Sequence, residues 1–378
     1  MTISTSIIPE KFYTSEEVSE FLRLSLRTVQ RLLANRSLNA YKIHGQYRIK
    51  GLDLLHYLDS TRQDDQPPVP QTPASYTEFL NVHPLTLRVG QAWLPLMDKT
   101  ADSEQQTLME RLPALRQQVV KTLGFVLPGL RIEDDLSLAD NAFEIFLQGV
   151  SVYKSGETAL VESQPALDVL ETCLNQVICR HAHEMLSRDD VAVMVEMIRE
   201  KRPVVVEEVM RTELNPEGLT LGQLTQVLRY LLKEGVSIQN MGLILEGLAD
   251  HLTEIPSGAP FVSRLGETLR QYLCRQINAP LANAEGIIEV LTLEPDLEQY
   301  LEAVAQGEAS DETYYAALND VRTQLKNAPA AVIICALPLR RYLFGVLYRH
   351  YPQITVLSYQ EIHEDYRVKP VLSLVKSV

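Results

Sequence analysis

Four polar side chains between positions 27 and 31 are of the kinds that contact nucleic acid. Arginine and glutamine carry paired donors or acceptors that can read base edges, and a threonine hydroxyl can bond a phosphate. In a helix, Val29, Leu32 and Leu33 would form an inward stripe. The outward face of that helix then carries Arg27, Thr28, Gln30 and Arg31. This segment therefore predicts a helix that contacts nucleic acid.

A second segment, in the middle of the chain, contains side chains that serve as metal ligands in other proteins: Cys179, His181, His183 and Glu184. Helical ligands of one ion need a spacing of three or four residues, whereas His181 and His183 point about 200° apart on a helix. The four cysteines of the chain have no CxxC spacing and lie in apolar or helical contexts, which favours buried thiols over disulfides. We therefore expect an ordinary helix surface here, without a metal.

Motifs of the common enzyme classes are absent from the sequence. It contains no P-loop, GxSxG, HExxH or Rossmann glycine pattern. Asp134 stands beside Asp135, but two adjacent carboxylates alone do not make a catalytic pair. We expect no enzymatic activity and no cofactor.

The patterns around the first segment predict a small winged unit. Thr14–Glu17 is a capping-box pattern that begins a short helix, and Ser25 can cap the second helix. Residues 41–49 alternate polar and apolar side chains around Gly45, as a β-hairpin wing would, and residues 53–58 would close the unit with a helix. Over residues 12–58 this order resembles the excisionase/MerR-like winged helix-turn-helix domains.

That resemblance implies a mode of DNA binding. Arg27, Thr28 and Arg31 would approach the major groove, and the wing would reach the neighbouring backbone through His44, Gln46 and Arg48. With Gln30, these are the candidate DNA-binding residues. The alternative is that the winged unit has become a protein-docking or dimerisation module.

The net charge of −14 is unevenly distributed along the 378 residues. Residues 1–62 hold nine Lys or Arg against six acids, giving +3, which leaves −17 for the remainder. Because a long acidic region repels DNA, double-stranded DNA would bind only through residues 1–62.

The sequence has no segment that predicts a membrane span or a secretory leader. Its longest apolar run, Ala330–Leu339, contains a proline and is far shorter than the roughly 20 residues that cross a bilayer. The first nine residues lack a basic region followed by a longer apolar core. We expect a cytoplasmic protein without membrane insertion.

A proline-rich segment, residues 63–75, has four prolines and almost no apolar anchors. At about 3.1 Å per residue it would be an extended tether with a reach of roughly 40 Å. The regions on either side therefore need not pack together.

The region after this tether contains several short sequence motifs that resemble those of a known family. Leu85–Gly90, Leu123–Pro128 and Gln148–Val152 resemble the first cytoplasmic subdomain of the export-gate proteins of flagellar and type III secretion systems, the FHIPEP family. The stretch Leu231–Asp250 resembles a signature of that family, and Leu339–Leu343 with Val356–Ile362 resembles its C-terminal subdomain. The resemblance extends over residues 80–375.

Two departures from the family pattern affect the expected structure. Pro113 stands where family members usually have an unbroken helix, so the helix should start or kink there. The family also inserts a small subdomain after the strand that matches Gly149–Val152, whereas here only Tyr153–Pro165 precedes the next helix. We expect that subdomain to be deleted, and because it borders the family's docking cleft for chaperone and substrate, the resemblance does not carry that binding over.

Caps and periodicity predict the rest of this region. Ser187, Thr220 and Ser237 should cap three helices, and Gly235 should end one of them. A strand–helix–strand pattern over residues 331–359 predicts a βαβ unit. Arg340 and Arg341 could bind an acidic partner, but a solvated first turn of a helix is the favoured interpretation.

The expected fold class is a multidomain α/β and α protein. It comprises a winged helix-turn-helix unit, an α/β subdomain, a helical subdomain and a C-terminal α/β subdomain, with the small inserted subdomain deleted. The expected boundaries are 1–62 for the winged unit, 63–75 for the linker, and 76–180, 181–256 and 257–378 for the three subdomains.

Our leading hypothesis is a non-enzymatic DNA-binding regulator or adaptor whose export-gate-like region, called the body below, binds a protein partner. The alternative is a soluble secretion component that binds protein substrates or chaperones and uses the winged unit for protein contacts. Both hypotheses are compatible with a homo-oligomer.

Overall fold

The computed structural model divides the chain into two compact units, residues 1–81 and 82–378. It describes residues 11–22, 24–34, 38–43, 46–60, 82–97, 107–156, 164–213, 215–254, 260–306, 311–326, 328 and 332–375. The predicted linker, residues 63–75, lies outside the described residues. The subdomain boundaries after residues 180 and 256 stay predictions.

The described part of the first unit contains a three-stranded sheet and three helices. Its elements are β1 (Phe12–Tyr13), α1 (Ser15–Leu22), α2 (Leu26–Ala34), β2 (Tyr41–Ile43), β3 (Gln46–Lys50) and α3 (Gly51–Ser60). The strands pair antiparallel in the order β1-β3-β2. Both predicted caps are confirmed: Glu17 N donates to Thr14 Oγ1 over 3.2 Å, and Thr28 N donates to Ser25 Oγ over 3.1 Å. Val18, Val29 and Ile49 are among its buried core side chains.

The second unit begins with a four-stranded mixed sheet and its covering helices. The elements are β4 (Leu85–Val89), α4 (Leu94–Met97), α5 (Leu108–Leu123), β5 (Leu130–Asp134), β6 (Phe143–Leu147), β7 (Val150–Lys154) and α6 (Gln164–Met185). The strand order is β5-β4-β6-β7. Gln148 and Gly149 join β6 to β7 with φ values of 48° and 79°, as a two-residue hairpin with the right-handed twist of its strands requires.

Helix α5 does not start at Pro113, which was one of the two outcomes predicted there; the other, a kink at Pro113, stays a prediction. It begins at Leu108 and runs through Pro113 instead of starting there. A capping box between Thr107 and Glu110 stabilises its first turn. Its end is as predicted: Gly124 has a φ of 86°, and a Cβ added there would lie 2.0 Å from the backbone nitrogen of Gln239. Only glycine fits this position.

The connection after β7 confirms the deletion of the inserted subdomain. Strand β7 ends at Lys154 and α6 begins at Gln164, so residues 155–163 form the whole connection. A segment this short lies far below the roughly 40 residues that an independently folded unit needs.

A helical region follows, made of α7 (Arg188–Arg199), α8 (Pro203–Val209), α9 (Leu221–Lys233) and α10 (Met241–His251). Ser187 and Thr220 cap α7 and α9 as predicted, and Gly235 follows α9 with a φ of 72°. The prediction that Ser237 caps α10 is wrong. The cap is Asn240, whose side-chain oxygen accepts from Leu243 N over 3.2 Å, because the chain from Val236 to Gln239 is not helical.

The C-terminal region is a parallel sheet packed with helices. Its elements are α11 (Phe261–Tyr272), α12 (Cys274–Asn278), β8 (Ile287–Leu293), α13 (Pro295–Ala305), α14 (Asp311–Leu325), β9 (Val332–Cys335), α15 (Leu337–Leu347), β10 (Thr355–Ser358) and β11 (Arg367–Leu374). The strand order is β10-β9-β8-β11, and every pair is parallel. The predicted βαβ unit is β9-α15-β10. Among all the helices that the structure describes, none is long and apolar enough to cross a membrane.

Candidate functional site

A cleft of about 540 Å³ opens on the second unit. Its walls come from the ends of α5 and α9, from β7, from the second half of α6, and from α15 with residues 352–355. These segments are far apart in the sequence, so the cleft exists only once the sheet, the helical region and the C-terminal region have assembled. Concave sites formed where several elements meet are the usual places for ligand binding.

One wall of the cleft is aromatic and fixed in place. Phe344 and Tyr348 project from α15 with their ring centroids 5.1 Å apart. The Tyr348 hydroxyl donates to the backbone oxygen of Arg180 on α6 over 3.0 Å. Because that bond joins two walls, the aromatic surface is held rigidly toward the cleft.

Tyr153 of β7 contributes a second aromatic side chain to the lining. Its ring stacks on Phe143 at 5.7 Å, and its hydroxyl accepts a hydrogen bond from the Cys173 thiol over 3.2 Å. That bond and burial raise the pKa of Tyr153 to about 12, so the hydroxyl is neutral at physiological pH.

Two exposed cations, Arg180 of α6 and Lys233 of α9, line the cleft. Neither has a carboxylate partner among the residues that the structure describes. Glu184, one turn along α6 from Arg180, is held by His181, whose Nδ1 lies 2.8 Å from Glu184 Oε1. The cleft therefore offers two cationic groups for an outside ligand.

Glu234 lines the cleft, but its carboxylate is buried and paired with arginine side chains of the protein interior. It follows α9, is 4% exposed, and lies 2.6 Å from Arg340 Nη1 and 3.1 Å from Arg270 Nη1 through its Oε2. Arg340 also donates from Nε to Glu267 Oε2 over 2.8 Å. Tyr230 donates its hydroxyl to Glu267 as well. Glu234 therefore does not neutralise the two exposed cations.

The buried ionic cluster reaches into the C-terminal region through Glu361. Arg270 Nε lies 2.5 Å from Glu361 Oε1, and both side chains are at most 1% exposed. The other oxygen of Glu361 accepts from Ser358 N over 2.6 Å. The cluster, defined as Tyr230, Glu234, Glu267, Arg270, Arg340 and Glu361, thus connects α9 and α11 to α15 and to the end of β10.

The environment sets the charge of each group in this cluster. Burial alone would raise the pKa of Glu234, but the positive charges of Arg270 and Arg340 outweigh it and hold that pKa below its usual value. Burial, with the nearby charges of Glu234 and Glu267, raises the pKa of Tyr230, so its hydroxyl stays a donor. Burial lowers the pKa of Arg340, but bonds to Glu267 and Glu234 raise it further, so it stays charged.

The interpretation of Arg340 as a solvated first-turn residue is wrong. Its side chain is 0% exposed, because the fold brings Glu234 and Glu267 to it from distant parts of the chain. Its neighbour Arg341 is exposed and donates from Nη1 to Ser263 Oγ over 2.7 Å.

The candidate DNA-binding residues belong to two elements of the first unit. Arg27 and Gln30 are exposed on α2, where Thr28 is half-buried and hydrogen-bonded to Ser25 Oγ. Arg31 lies in α2 and Gln46 in β3, but their side chains, and all of His44, lie outside the described residues. Arg48 of β3 is half-buried and donates to the Tyr47 carbonyl over 3.3 Å. Their assignment to DNA contact stays a prediction.

The Cys179–Glu184 segment lies on α6 beside the cleft. Cys179 is exposed, so the expectation of a buried thiol is wrong at this position. Burial lowers the pKa of His183, which favours the neutral imidazole. Among the described residues, no group of three or more possible ligands is placed to hold a metal ion.

Comparison with protein families gives two matches. A model described as the FHIPEP family matches residues 56–164 and 157–367. A helix-turn-helix domain model matches residues 12–62. The two FHIPEP segments meet at residues 157–164, in the shortened connection between β7 and α6.

Two curated relatives are flagellar proteins. Flagellar biosynthesis protein FlhA of Bacillus subtilis is 26% identical over 358 residues, which cover 80% of this chain and 51% of that protein. FlhA of Treponema pallidum is 27% identical over 368 residues, covering 82% and 50%. The chain thus spans about half the length of the curated relatives that it matches.

Several solved structures have the same fold as the second unit of this chain or most of it. The Chlamydia pneumoniae CdsV protein has a TM-score of 0.64 at 20% identity, and the similarity covers 78% of this chain and 98% of that one. The complex of CdsV and CdsO from the same organism has a TM-score of 0.63 at 22% identity, with the same coverage of the two chains. The nonameric EscV cytosolic domain from the type III secretion system has a TM-score of 0.59 at 19% identity, and the similarity covers 78% of this chain and 97% of that one.

These findings overturn our leading hypothesis. The expectation of a DNA-binding regulator or adaptor is wrong as the main function, because the family match and the curated relatives place most of the chain with export-apparatus components. The alternative interpretation, an export component that binds proteins, fits them better.

Proposed function

The chain belongs to the FHIPEP family, and on that premise we propose that its body, residues 82–378, is a protein-binding component of a flagellar or type III export apparatus. The observation that carries the proposal is the family match over residues 56–367. The body works as a binding surface, without catalysis or a cofactor. The proposed location is the cytoplasm, in keeping with the cytosolic EscV domain.

The cleft is the proposed docking site for a protein segment. It joins a fixed aromatic wall to two exposed cations, and peptide-binding grooves commonly combine apolar pockets with a few polar groups. The deleted subdomain would otherwise border the family's docking cleft, so this protein relies on β7, α6 and the C-terminal region instead. The complex of CdsV with CdsO supports the idea that this fold holds a protein partner.

Self-assembly is the second part of the proposal. Val193 and Met197 lie one turn apart on α7 and are each 61% exposed, and Val204 on the adjacent α8 is 64% exposed. Exposed apolar side chains grouped on neighbouring helices are typical of protein–protein contacts. The nonameric EscV domain supports a homo-oligomer.

The winged unit makes protein contacts in this account. Phe12 and Tyr41 are 47% and 54% exposed, and their rings meet edge to face with centroids 5.7 Å apart. Large exposed aromatic side chains are enriched in protein interfaces. Such a pair on the sheet surface suits a protein partner.

Site-specific photocrosslinking in cells tests the docking proposal. A photoreactive residue replaces Gln353, which is exposed and lines the cleft, in the full chain. The expected cross-linked partners, identified by mass spectrometry, are proteins that also accumulate outside the cell. The same residue at Glu217, which is exposed and outside the cleft lining, is the matched control. The proposal would be contradicted if every protein cross-linked at Gln353 were one that is never exported.

A further inference from the structure

The charges at the cleft are opposite in sign to those of the protein around it. Residues 63–378 carry a net charge of −17. Arg180 and Lys233 nevertheless line the same cleft, exposed and without carboxylate partners in the part of the chain that the structure describes. Several cations of this region pair with a carboxylate, as Arg88, Arg111, Arg199 and Arg275 do. Two unpaired cations at one cleft therefore favour the binding of a negatively charged ligand.

The floor of the cleft does not cancel this preference. Glu234 lies between Arg340 and Arg270 and forms ion pairs with both. The two guanidinium groups are shared with Glu267 and Glu361, so two positive charges against three carboxylates leave the cluster a net charge of −1, which the two charges of Arg180 and Lys233 exceed. The cationic lining therefore stays attractive to an anion.

The cleft also has an apolar surface that a small inorganic anion would leave uncovered. Its accessible aromatic side chains are the half-buried Tyr153 and Tyr348, whereas Phe344 and Ile354, which also line it, are only 6% and 7% exposed. Covering these rings would remove apolar surface from water and so stabilise a complex. The cleft thus suits a ligand that carries carboxylates together with apolar side chains.

We propose that the cleft binds an acidic peptide segment of an exported protein, with its carboxylates at Arg180 and Lys233 and an apolar side chain against Tyr153 and Tyr348. This inference rests on the proposed function and adds the chemical class of the ligand. The long-range attraction would also guide the segment to the cleft through an otherwise repulsive surface.

Fluorescence anisotropy with the full chain tests the ligand class. The probe is a short fluorescein-labelled peptide that alternates Glu and Leu, and the matched peptide has Lys in place of Glu. The Glu peptide should bind and the Lys peptide should not, and added salt should weaken the binding. The double variant Arg180→Gln with Lys233→Gln should weaken binding by about fivefold for each cation lost, the upper range for exposed ion pairs.

The matched control is the double variant Arg211→Gln with Lys201→Gln, which removes the same charges at exposed positions outside the cleft lining. It should bind the Glu peptide as the wild-type protein does. Equal weakening by both double variants would contradict the inference, because the effect would then come from net charge alone. Full competition by a single-stranded oligonucleotide would also contradict it and would indicate a nucleic-acid ligand.

The photocrosslinking experiment separates this inference from the proposed function. If Gln353 captures exported proteins but no Glu peptide binds, the acidic preference is wrong and the export role stands. If the peptide binds and the captured proteins are never exported, the ligand chemistry stands and the export role is wrong.

Discussion

Arg340 and Glu234 form a buried ion pair that joins the C-terminal α/β region to the helical region. The Nη1 and Oε2 atoms are 2.6 Å apart, and the side chains are 0% and 4% exposed. Around this pair the cluster holds two guanidinium groups and three carboxylates, with the Tyr230 hydroxyl donating to Glu267. Removing one charge leaves its partners buried and uncompensated, which costs far more than losing an exposed pair.

Arg340→Met should strongly destabilise the protein. The change leaves Glu234 and Glu267 without their main partner, so we expect the free energy of unfolding to fall by about 3–5 kcal/mol in urea titrations. Arg341→Met, one residue along and exposed, removes a single bond to Ser263 and should cost about 1 kcal/mol or less. Equal losses for the two variants would show that the buried cluster does not hold these regions together.

The cluster should make stability fall in acid. The folded pKa of Glu234 lies below its unfolded value of about 4.3, so its contribution is complete above that value and is lost as the pH falls through the folded pKa. Wild type should therefore exceed Glu234→Gln in stability most at neutral pH, and the difference should shrink in acid. Chemical denaturation across pH measures this difference, with the exposed Glu217→Gln as control. A gap that stays constant down to the lowest pH would refute the assignment.

The cap of α10 can be tested by two alanine substitutions. Asn240→Ala removes the acceptor for Leu243 N and should cost about 0.5–2 kcal/mol. Ser237→Ala should cost only a few tenths, because its hydroxyl accepts one long bond of 3.3 Å from Gln239 N. Thermal or urea unfolding compares them, and a larger loss for Ser237→Ala would favour the cap expected from the sequence.

Two glycines with similar backbone angles should respond differently to alanine. Gly235 has a φ of 72° and open space around it, so Gly235→Ala should cost about 1–2 kcal/mol from backbone strain alone. At Gly124 the new methyl group would also lie 2.0 Å from Gln239 N, so Gly124→Ala should cost clearly more. Urea unfolding measures the loss of stability in both variants. Similar losses would mean that the end of α5 does not pack against Gln239, in the segment before α10, as described.

Local features of this fold could be predicted from the sequence because their causes are local. The Thr14–Glu17 capping box, the helix end at Gly124 and the cap at Thr220 each depend on residues within one turn. Strand β11 was not predicted, since it contains Pro370 and has few buried side chains. It tolerates the proline because it lies at the edge of its sheet.

The site itself could not be predicted in this way. The carboxylates that bury Arg340 are 106 and 73 residues away in the sequence, so its first-turn position gave no sign of burial. The cleft has the same origin, because Tyr153, Arg180, Lys233 and Tyr348 meet only in the assembled body. The family resemblance indicated the architecture, but it did not indicate which side chains line the cleft.

Export itself is the most direct measure of the central claim, that this chain works in a flagellar or type III export apparatus. The quantity to measure is the amount of exported protein in the medium of a strain that lacks this gene, compared with its parent and with the strain carrying the wild-type gene in trans. Export should fall on deletion and return with the wild-type gene. Equal export by the parent and the deletion strain, under conditions in which the parent makes this protein, would contradict it.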